Sequence, residues 1–194
     1  MEIELLPAFQ RLDWPSFPDA LPTLMGLLAN GTIGWHGNQI CLTTIPGRED
    51  DIHLGTGSLL YDWDNSTRVS GIADTTSIQV PERQDKLSES DFVVLCRQFR
   101  GTVFEDMHRY MLGHHAIGRL RLMQMQPKTC LTWHVDTTPR IHYPLLTHAG
   151  CYMVIDSEVM HLDQDLWYLT ETRLPHTAFN GSKDSRIHLV GTMI

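Results

Sequence analysis

The stretch Trp133-His134-Val135-Asp136, followed by Arg140-Ile141-His142, His176 and Arg186-Ile187-His188, decides how this protein is read. In a strand, residues two apart point to the same side, so His134 and Asp136 present an imidazole and a carboxylate together. A second histidine from elsewhere, His176, completes a two-histidine, one-carboxylate set. Such a facial set with open positions suits non-haem Fe(II). Arg186, ten residues after His176, adds a guanidinium fork shaped for the carboxylate of an organic acid held at that metal. Arg140 and His142 form a second inward cationic pair near the expected iron, able to meet either the organic acid or an acidic group of a substrate.

Outward from this stretch, the sequence after His114-His115 reads as eight short strands: about 117–126, 130–135, 139–146, 150–156, 158–163, 165–171, 174–180 and 185–193. Arg119-Leu120-Arg121-Leu122-Met123 and Arg186-Ile187-His188-Leu189-Val190 alternate clearly. Eight strands at this spacing predict a sandwich or jelly roll. Upstream, Ser88 and Asp91 give a helix-start signal. Apolar residues then recur at Phe92, Cys96, Phe99, Val103, Met107 and Tyr110, so a helix over about 88–111 is expected to cover one sheet. Gly101 is its weak point. A second helix is expected at Leu21–Ala29, closed by Asn30-Gly31, and a strand over Gln39–Ile45. Residues 64–90 are polar and read as loop. Gly55-Thr56-Gly57 lacks the Lys-Ser/Thr of a phosphate loop and reads as a turn. Trp35–Gln39 and Leu54–Trp63 are candidate lid segments. Trp133 and Trp167 read as core, and Asn180-Gly181 as a turn.

The bulk properties exclude several functions. The 194 residues carry a formal net charge of −8, which argues against a nucleic-acid backbone or an anionic membrane surface as partner. No apolar run approaches membrane-spanning length, and the acidic N-terminus lacks the basic region of a signal peptide. Four cysteines without a C-x-x-C pair fit reduced thiols, so a cytoplasmic protein is expected. Eleven histidines are the one compositional hint of metal chemistry. Nothing in the sequence marks an oligomeric state.

Taken together, Trp133–Asp136, Arg140–Leu145, His176 with Asn180-Gly181, and Arg186–Leu189 resemble the Fe(II)- and 2-oxoglutarate-dependent oxygenases, in their aspartyl/asparaginyl β-hydroxylase-like branch. The resemblance covers roughly residues 117–194. It implies a mainly β fold, a double-stranded β-helix of jelly-roll or cupin-like type, with a covering helix and an N-terminal α/β extension. The 194 residues then make one domain, with 1–116 as covering and lid and 117–194 as core. The implied metal ligands are His134, Asp136 and His176, with no catalytic residue beyond the metal centre. The implied keto-acid contacts are Arg186, with Arg140, His142 and His188 as further candidates. Arg140, His142, His36 and Asn38 are candidate substrate contacts. The implied reaction uses O2 to hydroxylate a C–H of an amino acid, or of an amino-acid residue in a peptide. Asp136 stands where the peptidyl aspartyl hydroxylases have glycine, which brings the protein nearer the amino-acid hydroxylases and away from halogenases. Thr192 stands where nucleic-acid repair members carry a second arginine. Two other classes stay open: a non-catalytic sensor that keeps metal and keto acid as structure, and a cupin-type metalloenzyme that does not use 2-oxoglutarate.

Overall fold

Strict alternation along a strand requires a different environment on each face of its sheet. The computed structural model describes residues 5–57 and 86–194. Among these, the N-terminal part contributes β1 (Phe9–Leu12), α1 (Ala20–Ala29), β2 (Gln39–Cys41), β3 (Thr43–Thr44), β4 (Val94–Leu95) and α2 (Val103–Leu112). The rest contributes β5 (Ile117–Met125), β6 (Thr129–Cys130), β7 (Arg140–Leu146), β8 (Cys151–Ile155), β9 (Glu158–Met160), β10 (Trp167–Thr170), β11 (His176–Asn180) and β12 (Arg186–Met193).

One antiparallel sheet has the order β1-β10-β7-β12-β5-β2, and a second has the order β6-β11-β8-β9. From β5 to β12 the backbone steps between the two sheets, with β8–β9 as the only pair of successive strands kept in one. That interleaving makes the fold a double-stranded β-helix, built from the eight strands that the turn spacing predicts. β1 and β2 come from the N-terminal part and cap the two edges of the larger sheet. No sequence signal marks β1, because four residues between prolines and polar neighbours hold too little pattern. Its pairing with β10 is a tertiary event.

The outer face of the larger sheet is apolar. Leu120, Leu122, Ile141, Tyr143, Leu145, Ile187 and Leu189 are buried there against Leu24, Phe99, Phe104, Met107 and Met111. Two large side chains of this layer also tie down the N-terminal segment: Phe17 N–H donates to the Tyr143 hydroxyl at 2.7 Å, and Trp167 Nε1–H donates to the Pro15 carbonyl at 2.9 Å. A smaller apolar cluster of Met125, Met153, Ile155, Leu162, Tyr168 and Ala178 draws on strands of both sheets.

The helix expected over 88–111 is only half a helix. Ser88 and Asp91 do form a capping box, but it opens a single 3-10 turn, Glu89–Asp91. The backbone then extends through β4, which pairs with β3, and makes another 3-10 turn at Arg97–Phe99. Gly101 takes a φ of 71°, a left-handed conformation that ends any helix there. The working N-cap is Thr102, whose hydroxyl accepts from Phe104 N–H at 3.2 Å. Phe92, Cys96 and Phe99 are buried as the period requires, but from extended and 3-10 backbone. The helical spacing is shared by two different ways of reaching the same core. Of the region read as polar loop, residues 64–85 fall outside the described residues, as does the lid candidate beyond Gly57.

All four cysteines are free thiols, and only Cys130 is exposed. Burial pushes Cys41 up to about 11, so it is an inert core group. Among the described residues, no helix is long and apolar enough to cross a membrane.

Candidate metal centre

The ladder of β6 stops at Cys130, yet the backbone stays against β11. His134 N–H donates to the His176 carbonyl at 3.1 Å, and His176 N–H donates back to the His134 carbonyl at 2.9 Å. Asp136 N–H donates to the Thr172 carbonyl at 2.9 Å. These bonds pin both ends of the H-x-D segment to the start of β11 and the turn before it. Trp133 and Val135 then face outward, and Trp133 is 58% exposed rather than part of the core. Trp167 is the core tryptophan.

The ligand atoms of His134, Asp136 and His176 lie within 4.8 Å of one another, the only such set among the described residues. Both imidazoles are oriented in the same way. His134 Nδ1 sits 2.8 Å from the Thr132 carbonyl, and His176 Nδ1 sits 3.0 Å from the Leu174 carbonyl. A carbonyl only accepts, so Nδ1 carries the proton in each ring and Nε2 keeps its lone pair. Burial pushes His176 below the usual histidine range, which keeps it neutral and able to ligate. Two imidazole lone pairs and one carboxylate oxygen fit the donor set of a non-haem Fe(II) centre.

The triad opens into a cavity of about 640 Å³ between the two sheets. The inner face of the larger sheet supplies its charge: Arg119 and Arg121 from β5, Arg140 and His142 from β7, Arg186 from β12. Arg140 is committed. Its Nε lies 3.0 Å from Asp136 Oδ2, Nη2 lies 2.7 Å from Glu89 Oε2, and Nη1 donates to the Thr138 hydroxyl at 2.8 Å. Arg119 is committed too, ion-paired with Glu89 and donating to the Gly55 and Gly57 carbonyls at 3.1 and 3.0 Å. A relay of Arg119, Glu89 and Arg140 therefore holds Asp136. Gly118 permits it, because a Cβ there would lie 2.4 Å from the Glu89 carbonyl oxygen.

Arg186 is different. It is 7% exposed, makes no ion pair with the described residues, and its Nε has no hydrogen-bond partner. Burial pushes its guanidinium down to about 10, so it remains a cation at neutral pH. His142 and His188 are also buried. His142 Nδ1 and both His188 ring nitrogens lack partners, and the rings meet edge to face at 5.8 Å. Burial, with the Arg186 charge next in weight, pushes His142 down to about 3 and His188 well below its usual range. Both are neutral, so of the pair read as cationic only Arg140 carries a charge.

Sequence reasoning misses Glu89, Arg119 and Arg121. Glu89 is hidden inside the expected helix. The two arginines are visible as strand alternation, and a repeated Arg-Leu on one strand is the available signal. Two buried arginines on one face need an anion. Of the weaker candidates, Asn38 lines the cavity, whereas His36 lies outside it and packs against His53 at 5.4 Å. Asn180 organises the β11–β12 turn, accepting from Ser182 N–H at 3.0 Å and donating to the Asp184 carbonyl at 2.8 Å. A second depression of about 660 Å³, along Gly31–Gly34 and Gly47–His53, gathers no ligand set among the described residues.

With this geometry in view, the comparison with protein families is direct: residues 102–194 match the model of the aspartyl/asparaginyl beta-hydroxylase family. The match takes in His134, Asp136, His176 and Arg186. This protein is also similar to L-proline cis-4-hydroxylase of Rhizobium meliloti (strain 1021), 29% identical over 82 residues. That alignment spans 39% of this protein and 29% of the relative. Among solved structures, a viral collagen prolyl hydroxylase from Paramecium Bursaria Chlorella virus-1, in a 2OG complex, aligns over 96% of this protein and 95% of its own length, at 7% identity and a TM-score of 0.49. A 2OG-Fe(II) oxygenase family oxidoreductase from Burkholderia pseudomallei aligns over 40% of this protein and 43% of its own length, at 16% identity and a TM-score of 0.37.

Proposed function

We propose that this protein is an Fe(II)- and 2-oxoglutarate-dependent hydroxylase acting on a C–H of an amino acid or of an amino-acid residue in a peptide. One observation carries the reading: a His134–Asp136–His176 set with both Nε2 lone pairs free shares a cavity with a buried, unpaired Arg186. A metal site alone would be satisfied by the triad. A buried guanidinium without a counter-ion is costly, and a carboxylate-bearing co-substrate is the ligand that offsets it. The family match at residues 102–194 supports the same class.

In this reading His134, Asp136 and His176 hold the iron and Arg186 holds the distal carboxylate of 2-oxoglutarate. Bound there, iron and keto acid supply activation of O2 coupled to decarboxylation, so that substrate C–H, O2 and 2-oxoglutarate become C–OH, CO2 and succinate. The protein's own contribution is positional. The Thr132 and Leu174 carbonyls fix the two rings. The Arg119–Glu89–Arg140 relay keeps Asp136 aimed, and neutral His142 and His188 offer hydrogen bonds without adding positive charge. The cavity is backed on one side by the larger sheet with its outer core and bounded on the other by Met153 and Ala178.

The test is to load the protein with Fe(II) and supply 1-labelled 2-oxoglutarate with a panel of amino acids and short peptides, L-proline at its head. Labelled CO2 and succinate in equal amounts are expected, with slow release even without substrate. No release with any member of the panel would overturn the reading.

A further inference from the structure

One buried arginine of the cavity has neither a carboxylate partner among the described residues nor a role in the proposed keto-acid site. The two carboxylates of the described lining, Glu89 and Asp136, are taken by Arg119 and Arg140. Under the proposed function, the keto acid is shared between the metal and Arg186. Arg121 is left over. It is 7% exposed, faces the cavity from the middle of β5, and no carboxylate among the described residues reaches it. Its single hydrogen bond to a described residue is from Nη1 to Gln39 Oε1 at 2.8 Å, and its Nε has no partner. Gln39 is itself held, since Gly57 N–H donates to the same oxygen at 3.1 Å.

The register of the sheet places this cation. Arg140 pairs with Thr192, the next row inward joins His142, Val190 and Arg121, and Arg186 pairs with Met125 at the far end. Arg121 and Met125 are four residues apart on one face, roughly 13 Å at 3.3 Å per residue. Arg121 and Arg186 therefore offer two separate anion seats. Arg121 stands one row from Arg140, which touches Asp136, whereas Arg186 stands three rows away.

We infer that Arg121, oriented by Gln39, binds the carboxylate of the substrate, which makes the substrate a free amino acid rather than a residue inside a peptide. The inference rests on the proposed keto-acid-dependent hydroxylation, under which Arg186 is already occupied. A free amino acid brings the second anion the cavity lacks and leaves the C–H bonds beyond its α-carbon toward the metal. An internal peptide residue has no such carboxylate and would bury Arg121 unpaired.

Binding to the full-length protein loaded with Mn(II) and 2-oxoglutarate tests this without turnover. Calorimetry is run with the twenty free L-amino acids, their methyl esters and their N-acetyl amides. At least one free amino acid is expected to bind, with its ester and amide about 100-fold weaker or worse, as when one partner of a buried charged pair is removed. Arg121→Met is expected to bind Mn(II) and 2-oxoglutarate as the wild type does, and to lose the amino acid. Arg121→Lys should recover part of the affinity. Arg186→Met should lose 2-oxoglutarate instead. The inference is overturned if esters or amides bind as well as the free acids, if no free amino acid binds, or if Arg121→Met loses 2-oxoglutarate. Failure of 2-oxoglutarate to bind the wild-type protein would overturn the hydroxylase reading. Dependence of amino-acid binding on Arg121 is scored separately from that outcome.

Discussion

The two faces of the six-stranded sheet are made by the same strands and obey opposite rules. On the outer face Leu120, Leu122, Ile141, Tyr143, Leu145, Ile187 and Leu189 meet only other parts of the protein, and their layer is complete. On the inner face, one residue over in each strand, Arg119, Arg121, Arg140, His142, Arg186 and His188 are just as deeply buried. There the nitrogens of Arg121, His142, Arg186 and His188 go partly unpartnered. Buried polar groups are normally satisfied. A face that is not satisfied by its own protein is built for something the protein does not contain. The apolar core lies on one side of this sheet, and the candidate metal site opens on the other.

Substitutions on the two faces should separate these roles. The largest effect is expected at the proposed metal ligands. Asp136→Ala and His176→Ala should each weaken Mn(II) binding beyond the roughly 100-fold that a change to a residue behind the ligands costs, with little loss of folding stability. Binding titration and urea unfolding together read this out, and wild-type metal affinity in both variants would remove them as ligands. On the outer face the pattern inverts. Leu122→Ala should cost about 2–5 kcal/mol of stability and leave Mn(II) affinity per folded molecule unchanged.

A smaller effect of opposite sign is expected on the inner face. His188→Leu removes two unpartnered ring nitrogens from a buried position, so the ligand-free protein should gain up to about 1–3 kcal/mol in urea unfolding. A loss comparable to that of Leu122→Ala would mean that His188 packs as core. The smallest effect is in the pH dependence. His142 is held at about 3 and His188 well below the ordinary 6.5. The unfolded state therefore binds more protons than the folded one below pH 6.5. Stability should be full above about 6.5 and fall as pH drops from there toward about 3, by up to about 1.4 kcal/mol per pH unit for each histidine. His188→Leu should make that acid slope shallower, and an unchanged slope would show that His188 does not contribute to it.

The structure also shows where local pattern misleads. Phe92, Cys96 and Phe99 have helical spacing and are buried, yet they reach the core through extended and 3-10 backbone. β-Pairing of Val94–Leu95 with Thr43–Thr44 and the left-handed Gly101 outweigh helix propensity there. Trp133 reads as core by its size, but strand alternation next to His134 turns it to solvent. Glu89, the residue that joins Arg119 to Arg140, can be found only once the segment bearing it is laid across Gly118.

By itself the sequence determined the strand count, the two faces of each strand, and the grouping of two histidines and a carboxylate as a candidate ligand set. Those depend on a two-residue period and on residue chemistry, which are local properties. Only the tertiary structure decided which arginines are spent on internal ion pairs and which have none among the described residues. That distinction depends on partners far apart in sequence, Glu89 with Arg119 and Arg140, and Gln39 with Arg121. No period in the sequence records such distances.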